Sequence, residues 1–167
     1  QNPIKLGILN SVCSITDLIL PEREPNYKIY ESTIKLFNLI SNLSNSNLKC
    51  LKYYVNWELD LLTDLGFGLE LSKCAVTGTN DQLSFVSPKS GKSVSYKVGL
   101  PYKKKLLVLP MFLGGKIQNE CEDEKKDIIN GFKLSGYFLK SCFYEYYSKN
   151  TPNPRKWLFQ LVSTLDS

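Results

Sequence analysis

The stretch that most constrains the fold of this chain runs from Trp57 to Gly78, WELDLLTDLGFGLELSKCAVTG. Its apolar residues recur at helical spacing and form one stripe, which comprises Trp57, Leu61, Leu62 and Leu65. Gly66 follows this stripe directly, at a position where glycine commonly ends a helix. A segment of small residues around Cys74 comes next. The stretch therefore predicts a core helix that ends at Gly66 and leads into a compact turn.

The remaining apolar pattern predicts a mainly α-helical domain with a small β-hairpin. With 167 residues, of which 43% are hydrophobic, the chain is long enough to bury a core. We predict helices over residues 3–20, 25–40, 48–65, 122–147 and 155–165. The second helix is expected to bury a stripe made by Tyr27, Tyr30, Ile34, Phe37 and Ile40. Residues 81–97 alternate between apolar and polar and predict the hairpin, whereas residues 106–113 predict one helical turn.

Four stretches of the chain carry a resemblance to a known family. The Trp57–Gly78 stretch combines an aromatic-Glu-Leu start, an LG-aromatic-G turn and a cysteine knuckle, and the others are Leu9–Glu31, Asp81–Gly115 and Asn130–Phe143. In this order they resemble the RecO family of recombination mediators, in its alphaproteobacterial branch. RecO proteins begin with an oligonucleotide-binding-type barrel, which nothing in this chain matches. The resemblance implies that residues 1–167 are the C-terminal helical domain, with residues 74–100 as a knuckle and hairpin insertion.

The resemblance also implies a function, which is a non-enzymatic role in recombinational DNA repair. A protein of this kind binds single- and double-stranded DNA without regard to sequence, and it binds the acidic tail of single-stranded-DNA-binding protein. It associates with RecR, anneals strands and helps to load RecA, in the bacterial cytoplasm at the nucleoid. No cofactor is expected. The alternative is a protein-interaction scaffold domain that has no DNA binding of its own.

The residue types of the chain argue against most classes of enzyme. The chain has no histidine, which excludes His-based triads and His metal ligands, and it has no glycine-rich phosphate loop. The remaining enzymatic alternative is a thiol enzyme that uses Cys74 or Cys121 near Lys73 or Lys116. Such an enzyme would work without a histidine base.

A long segment without acidic residues is the strongest functional signal in the sequence itself. Between Gln82 and Asn119 there is no Asp or Glu, in a chain of formal net charge +5. We expect DNA contacts from its lysines, which are Lys89, Lys92, Lys97, Lys103, Lys104 and Lys105. Lysines neutralise phosphates, and the interleaved Phe85, Tyr96 and Tyr102 could stack on unpaired bases. The alternative is a solvated hairpin whose lysines give solubility and whose aromatic residues belong to the core.

The knuckle around Cys74 resembles a zinc site that has lost its metal ligands. Some RecO proteins carry two CxxC pairs here, but this chain has Thr77 in place of the second cysteine, and no cysteine follows in the hairpin. A structural zinc site needs four ligands, mostly thiolates or imidazoles. We therefore expect no metal.

The third predicted helix offers a candidate surface for the acidic tail. Such a tail, which ends in an apolar tip, needs a hydrophobic groove with basic residues at its rim. The candidates lie on one broad side of the helix and comprise Lys49, Lys52, Tyr53 and Trp57. The alternative is that Tyr53 and Trp57 are core aromatic residues. The acidic residues near 120–127 are explained by the helix dipole and by solubility.

Overall fold

In the part of the chain that the structure describes, six α-helices and a small three-stranded sheet form the fold. The computed structural model describes residues 2–20, 22, 25–116, 123–145 and 149–164. The helices in these ranges are α1 (Pro3–Ile19), α2 (Tyr27–Ser41), α3 (Asn47–Asp64), the single turn α4 (Tyr96–Gly99), α5 (Glu124–Leu139) and α6 (Asn153–Ser163). The strands are β1 (Leu83–Val86), β2 (Ser93–Ser95) and β3 (Leu107–Val108). The predicted fold class, mainly α with a small β insertion, is confirmed.

Helix α3 is the central element of the helical part, because α2 and α5 both pack against it. It buries residues on several sides, which are Cys50, Leu51, Tyr54, Val55, Trp57, Glu58, Leu61 and Leu62. The helix ends as the sequence predicts. Gly66 has a φ of +87°, and the Phe67 N–H donates to the Leu62 carbonyl at 2.7 Å while the Gly66 N–H donates to the Thr63 carbonyl at 3.1 Å. This paired C-terminal motif needs the left-handed residue that glycine supplies.

Helix α2 buries a face that overlaps the predicted one only at Phe37 and Ile40, which pack against the core. Tyr27, Tyr30 and Ile34 are 76%, 65% and 42% exposed, whereas Ile29 and Leu36 are buried. The prediction followed the aromatic residues, but α2 packs mainly on α3, and α3 therefore decides which face is covered. The helix also begins at Tyr27 rather than at Pro25, since Asn26 occupies its N-cap position.

The hairpin is confirmed, and a third strand extends it. The strand order is β2-β1-β3, and both neighbours of β1 are antiparallel to it. The predicted helical turn over residues 106–113 is wrong. Leu107 pairs with Val86 and Val108 with Phe85, and a 3₁₀ turn is confined to Met111–Leu113. A strand of two residues leaves no period in the sequence from which it could be recognised.

A buried ion pair ties α3 to α6. The Arg155 Nε donates to Glu58 Oε1 at 2.7 Å, and the Arg155 Nη2 donates to Glu58 Oε2 at 3.0 Å and to the Phe132 carbonyl at 3.0 Å. Ser135 on α5 also donates to Glu58 Oε2, at 2.5 Å. Although burial lowers the pKa of Arg155, the Glu58 carboxylate raises it above its ordinary value. The guanidinium therefore keeps its charge inside the helical core.

A tyrosine extends this network to α1. Tyr54 donates to Glu58 Oε1 at 2.7 Å, so the Ser11 hydroxyl, 2.6 Å from the Tyr54 oxygen, acts as the donor to it. Gly136 makes room for the guanidinium, since a Cβ there would lie 2.8 Å from Arg155 Nη2. Four helices thus converge on one carboxylate.

None of the helices in the described ranges has the length and apolar character that crossing a bilayer requires.

Candidate peptide groove and nucleic-acid interface

A groove opens between α2 and α3 and has a volume of about 530 Å³. Its lining residues are Ser32, Lys35, Leu36, Lys52, Tyr53, Asn56, Trp57, Asp60 and Phe112. Three of the four residues proposed from the sequence for peptide binding, Lys52, Tyr53 and Trp57, thus meet at one surface. The fourth, Lys49, lies outside the groove, where its Nζ donates to Asn45 Oδ1 at 3.0 Å.

The two aromatic residues of the groove have different roles. Trp57 is only 2% exposed, and its indole Nε1 donates to Thr33 Oγ1 at 2.9 Å, so it is a core residue that forms the floor of the groove. Tyr53 is 49% exposed and forms a wall. The groove therefore combines an immobile apolar floor, shared with the buried Leu36, and an aromatic wall that a ligand could contact.

The two lysines of the groove lie on opposite helices. Lys35 on α2 is exposed and makes no ion pair within the described part of the chain. Lys52 on α3 pairs with Glu124 at 2.5 Å. At the other end of the groove, Ser32 donates a hydrogen bond to Asp60. Among the described residues, Lys35 therefore has no acidic partner, whereas Lys52 has one.

A second, acidic cavity of about 300 Å³ adjoins the groove and shares Lys52 and Phe112 with it. The other lining residues are Met111, Asp123, Glu124 and Asp127. The Asp127 carboxylate accepts from the Met111 N–H at 2.7 Å and from the Phe112 N–H at 3.2 Å. It therefore holds the 3₁₀ turn that places Phe112 at the boundary between the two cavities.

The lysine surface is centred on a 3₁₀ helix, Leu100–Lys105. In this geometry successive side chains project about 120° apart, and residues three apart share one side. Tyr102, 61% exposed, therefore shares a side with Lys105. Lys103, Lys104 and Lys105 are exposed but point in three directions. Tyr102 and Lys105 thus face the same way. This arrangement suits a nucleotide whose base stacks on the ring while its phosphate contacts the lysine.

The other residues proposed for DNA contact contribute unequally. Lys89 and Lys97 are exposed and make no ion pair in the described ranges, whereas Lys92 pairs with Glu70 at 3.2 Å. Phe85 is buried, and its ring stacks on that of Tyr96 with centroids 6.2 Å apart. Of Phe85, Tyr96 and Tyr102, Tyr102 is therefore the one most open to a ligand.

The knuckle forms without any second cysteine. The Gly78 N–H donates to the Cys74 carbonyl at 2.9 Å, and the Ser95 N–H donates to the Cys74 sulfur at 3.3 Å. Burial by itself raises the pKa of this thiol, but hydrogen bonds from Thr77, Ser95 and Val76 outweigh it and lower the pKa from 9.0 to about 6. The donors that surround the sulfur thus stabilise a thiolate in a site where Cys74 is 1% exposed.

We expect this thiolate to make folding stability depend on pH. The pKa of Cys74 is lower in the folded chain than in the unfolded chain. The contribution of the thiolate to the free energy of unfolding is therefore complete above pH 9 and is lost as the pH falls through about 6. The free energy of unfolding of the wild type, relative to Cys74→Ser, should therefore rise by at least about 1 kcal/mol between these values. Urea denaturation of both proteins at several pH values measures this difference in the free energy of unfolding.

The matched control for that series is Cys50→Ser. Burial raises the pKa of Cys50, so its thiol stays neutral through most of the same pH window. The loss of stability in this variant should therefore be nearly independent of pH. Parallel pH profiles for both serine variants would contradict a buried thiolate at Cys74.

Among the described residues, the knuckle has no group of side chains that could complete a metal site. Within the ranges that the structure describes, no three His, Cys, Asp or Glu residues come together as a metal site. Cys121, Glu120 and Glu122 lie outside those ranges. The absence of a metal stays a prediction, which metal analysis of the purified protein tests.

Comparison with known proteins agrees with the resemblance seen in the sequence. The family model "Recombination protein O C terminal" matches residues 1–141. The chain belongs to the RecO family of DNA repair proteins. It is 44% identical over 144 residues to the DNA repair protein RecO of Ehrlichia chaffeensis, covering 86% of this chain and 58% of that protein. It is 39% identical over 141 residues to that of Rhodospirillum centenum, covering 83% and 53%.

A third RecO relative matches almost the entire chain. The protein of Rickettsia bellii is 36% identical over 166 residues, which is 99% of this chain and 65% of that RecO protein. The chain therefore spans between about half and two thirds of the length of these curated relatives. No solved structure matches it.

Sequence reasoning missed Lys35 in the groove of this RecO-family chain and Glu124 in the adjoining acidic cavity. Lys35 was overlooked because the wrong face of α2 was assigned to the core, although its neighbour Leu36 is buried. Glu124 was assigned to the helix dipole and to solubility, and its pairing with Lys52 joins residues 72 apart in the chain. A helical pattern that includes Ile29 and Leu36 would have indicated Lys35, whereas no local signal indicates Glu124.

Proposed function

We propose that this chain is the non-enzymatic, partner-binding domain of a RecO-type recombination mediator. The observation that supports it most is the groove that joins Lys35 and Lys52 to an apolar floor and the Tyr53 wall. An acidic tail with an apolar tip fits this chemistry, because carboxylates pair with the lysines while the tip packs on the exposed Tyr53 wall. The ligand we infer is the tail of single-stranded-DNA-binding protein.

The proposed DNA-binding surface is the lysine segment Lys89–Lys105. Its support is the exposed Tyr102 beside Lys105, together with lysines that make no ion pair in the described ranges. Contacts to phosphates and base faces carry no sequence information, so we infer binding to single- and double-stranded DNA alike. Strand annealing, association with RecR and loading of RecA at the nucleoid are inferred from the family.

A thiol enzyme has less support from the geometry. Cys74 is 1% exposed, and the neighbouring Lys73 pairs with Glu70 at 3.4 Å. A nucleophile needs to reach its substrate, and a lysine that assists it needs to face it. The residues favour a binding protein, with residues 1–167 as one helical domain and residues 74–100 as its knuckle and hairpin insertion.

The test is binding of a fluorescein-labelled peptide made of consecutive aspartates and a C-terminal phenylalanine, followed by fluorescence anisotropy. We expect the wild type to bind it and Lys35→Gln to bind it about two- to fivefold more weakly, the effect of one exposed ion pair. The matched control is Lys49→Gln, which removes the same charge from α3 outside the groove.

The two lysine variants separate a groove from a general attraction. Equal losses in Lys35→Gln and Lys49→Gln would mean that the peptide follows the net charge of the chain rather than the groove. A peptide with serines in place of the aspartates should bind neither variant nor the wild type measurably. No binding of the acidic peptide at low salt would overturn the proposed peptide function.

A further inference from the structure

One of the two lysines in the groove, Lys52, already forms an ion pair with a carboxylate of the chain itself, that of Glu124. Glu124 Oε1 lies 2.5 Å from Lys52 Nζ. Glu124 belongs to the first turn of α5, so the pair links α5 to α3, and these helices are far apart in the sequence. An acidic ligand that uses Lys52 meets this carboxylate first.

The two members of the pair differ in how freely they can move. The Lys52 side chain is 26% exposed, and it lines both the groove and the acidic cavity. The Glu124 side chain is 58% exposed. The lysine is thus fixed at the junction of the two cavities, whereas the glutamate can rotate into solvent at little cost.

The other carboxylates of the acidic cavity are held by the backbone. Asp123 accepts from the N–H groups of Lys125 and Lys126 as the N-cap of α5, and Asp127 accepts from the 3₁₀ turn. Within the described contacts, Glu124 has Lys52 as its partner and no backbone donor. Among these three groups, Glu124 is therefore the one whose release leaves the helix and the turn intact.

We propose that Glu124 is a built-in competitor of the acidic ligand, which occupies Lys52 in the free protein and is displaced when the ligand binds. This inference rests on the proposed peptide-binding function. Displacement replaces the ion pair between Lys52 and Glu124 with one between Lys52 and a carboxylate of the ligand. The competitor lowers the affinity for weakly acidic peptides, and a ligand has to offer a carboxylate at Lys52 to replace it.

The experiment compares Glu124→Gln with the wild type in anisotropy titrations of the same aspartate-phenylalanine peptide, using the full chain. We expect the variant to bind about two- to fivefold more tightly, which corresponds to one exposed ion pair that no longer has to be broken. Its affinity should also depend more steeply on salt, because it forms an ion pair where the wild type exchanges one. Circular dichroism confirms that the variant is folded.

Two further variants show whether Glu124 acts through Lys52. Glu145→Gln removes the same charge from a different exposed pair, that with Lys140 beyond the other end of α5, and should leave the affinity unchanged. In a Lys52→Gln background, Glu124→Gln should bring no gain, because the competition has lost its target.

The outcomes separate this inference from the function on which it rests. If the wild type binds the peptide and Glu124→Gln binds it no more tightly, the proposed role of Glu124 as a competitor is overturned. The proposed peptide-binding function is then unaffected. An equal gain in Glu145→Gln, or a gain that persists without Lys52, also overturns it in favour of a general charge effect. Absence of binding by every variant overturns both.

Discussion

Replacing Arg155 by alanine is expected to lower the free energy of unfolding by about 3–5 kcal/mol. The substitution leaves the Glu58 carboxylate inside the core, where it is 0% exposed, without its positive partner. Tyr54 and Ser135 still donate to this carboxylate, but two hydroxyl groups cannot offset the loss of a guanidinium that donates twice. An uncompensated buried charge is among the largest single destabilising effects in a protein.

Urea and thermal denaturation measure the effect directly. For a chain of this size, 1 kcal/mol corresponds to roughly 2–4 °C in Tm, so Arg155→Ala should melt at least several degrees below the wild type. Lost packing contributes as well, because the Arg155 guanidinium lies over the Phe132 ring at 5.6 Å from its centroid. The Phe132 carbonyl, which accepts from Arg155 Nη2 at 3.0 Å, also loses that donor.

Two controls separate the buried charge from ion pairing in general. Lys140→Ala breaks the exposed pair with Glu145, whose side chains are 63% and 61% exposed, and should cost no more than about 1 kcal/mol. The double variant Glu58→Leu/Arg155→Met removes both charges, so it should recover much of the stability that Arg155→Ala loses. A double variant as unstable as Arg155→Ala would show that packing, rather than the unpaired carboxylate, dominates the loss.

The elements whose signals are local could be predicted from the sequence. The end of α3 at Gly66 follows from one glycine after an apolar stripe, and the hairpin follows from alternation around a turn. Strand β3 could not be recognised in this way, because two residues that pair with β1 have no period. The buried face of α2 was also missed, since the choice between Tyr30 and Leu36 depends on α3 rather than on α2.

The candidate groove shows the same division between local and distant information. Lys52, Tyr53 and Trp57 share a side of one helix, so their proximity follows from helical spacing alone. Lys35 comes from a neighbouring helix and Glu124 from an element 72 residues away, and their positions depend on tertiary packing. The Glu58–Arg155 pair is a further example, because a lone arginine at the start of α6 does not indicate in the sequence that it will be buried.

Replacing Lys103, Lys104 and Lys105 by glutamine is expected to weaken single-stranded DNA binding about 25-fold at 0.1 M salt. Each phosphate contact changes the slope of log K against log salt by about 0.7 and adds roughly fivefold in affinity at that salt. The lysines project to three sides of the 3₁₀ helix Leu100–Lys105, and one strand reaches two neighbouring sides. Two lost contacts therefore give a change in slope of about 1.4.

Anisotropy of a labelled oligonucleotide across a salt series measures both quantities. The matched control replaces Lys28, Lys49 and Lys156, which are exposed on α2, α3 and α6, and therefore lowers the net charge equally. Its slope should stay close to that of the wild type, because these lysines lie on three separate helices outside the lysine segment. Equal losses in both triple variants would show that DNA follows the net charge of the chain. No binding by the wild type at low salt would instead favour a scaffold domain, in which the groove rather than the lysine segment connects this RecO-family chain to DNA repair.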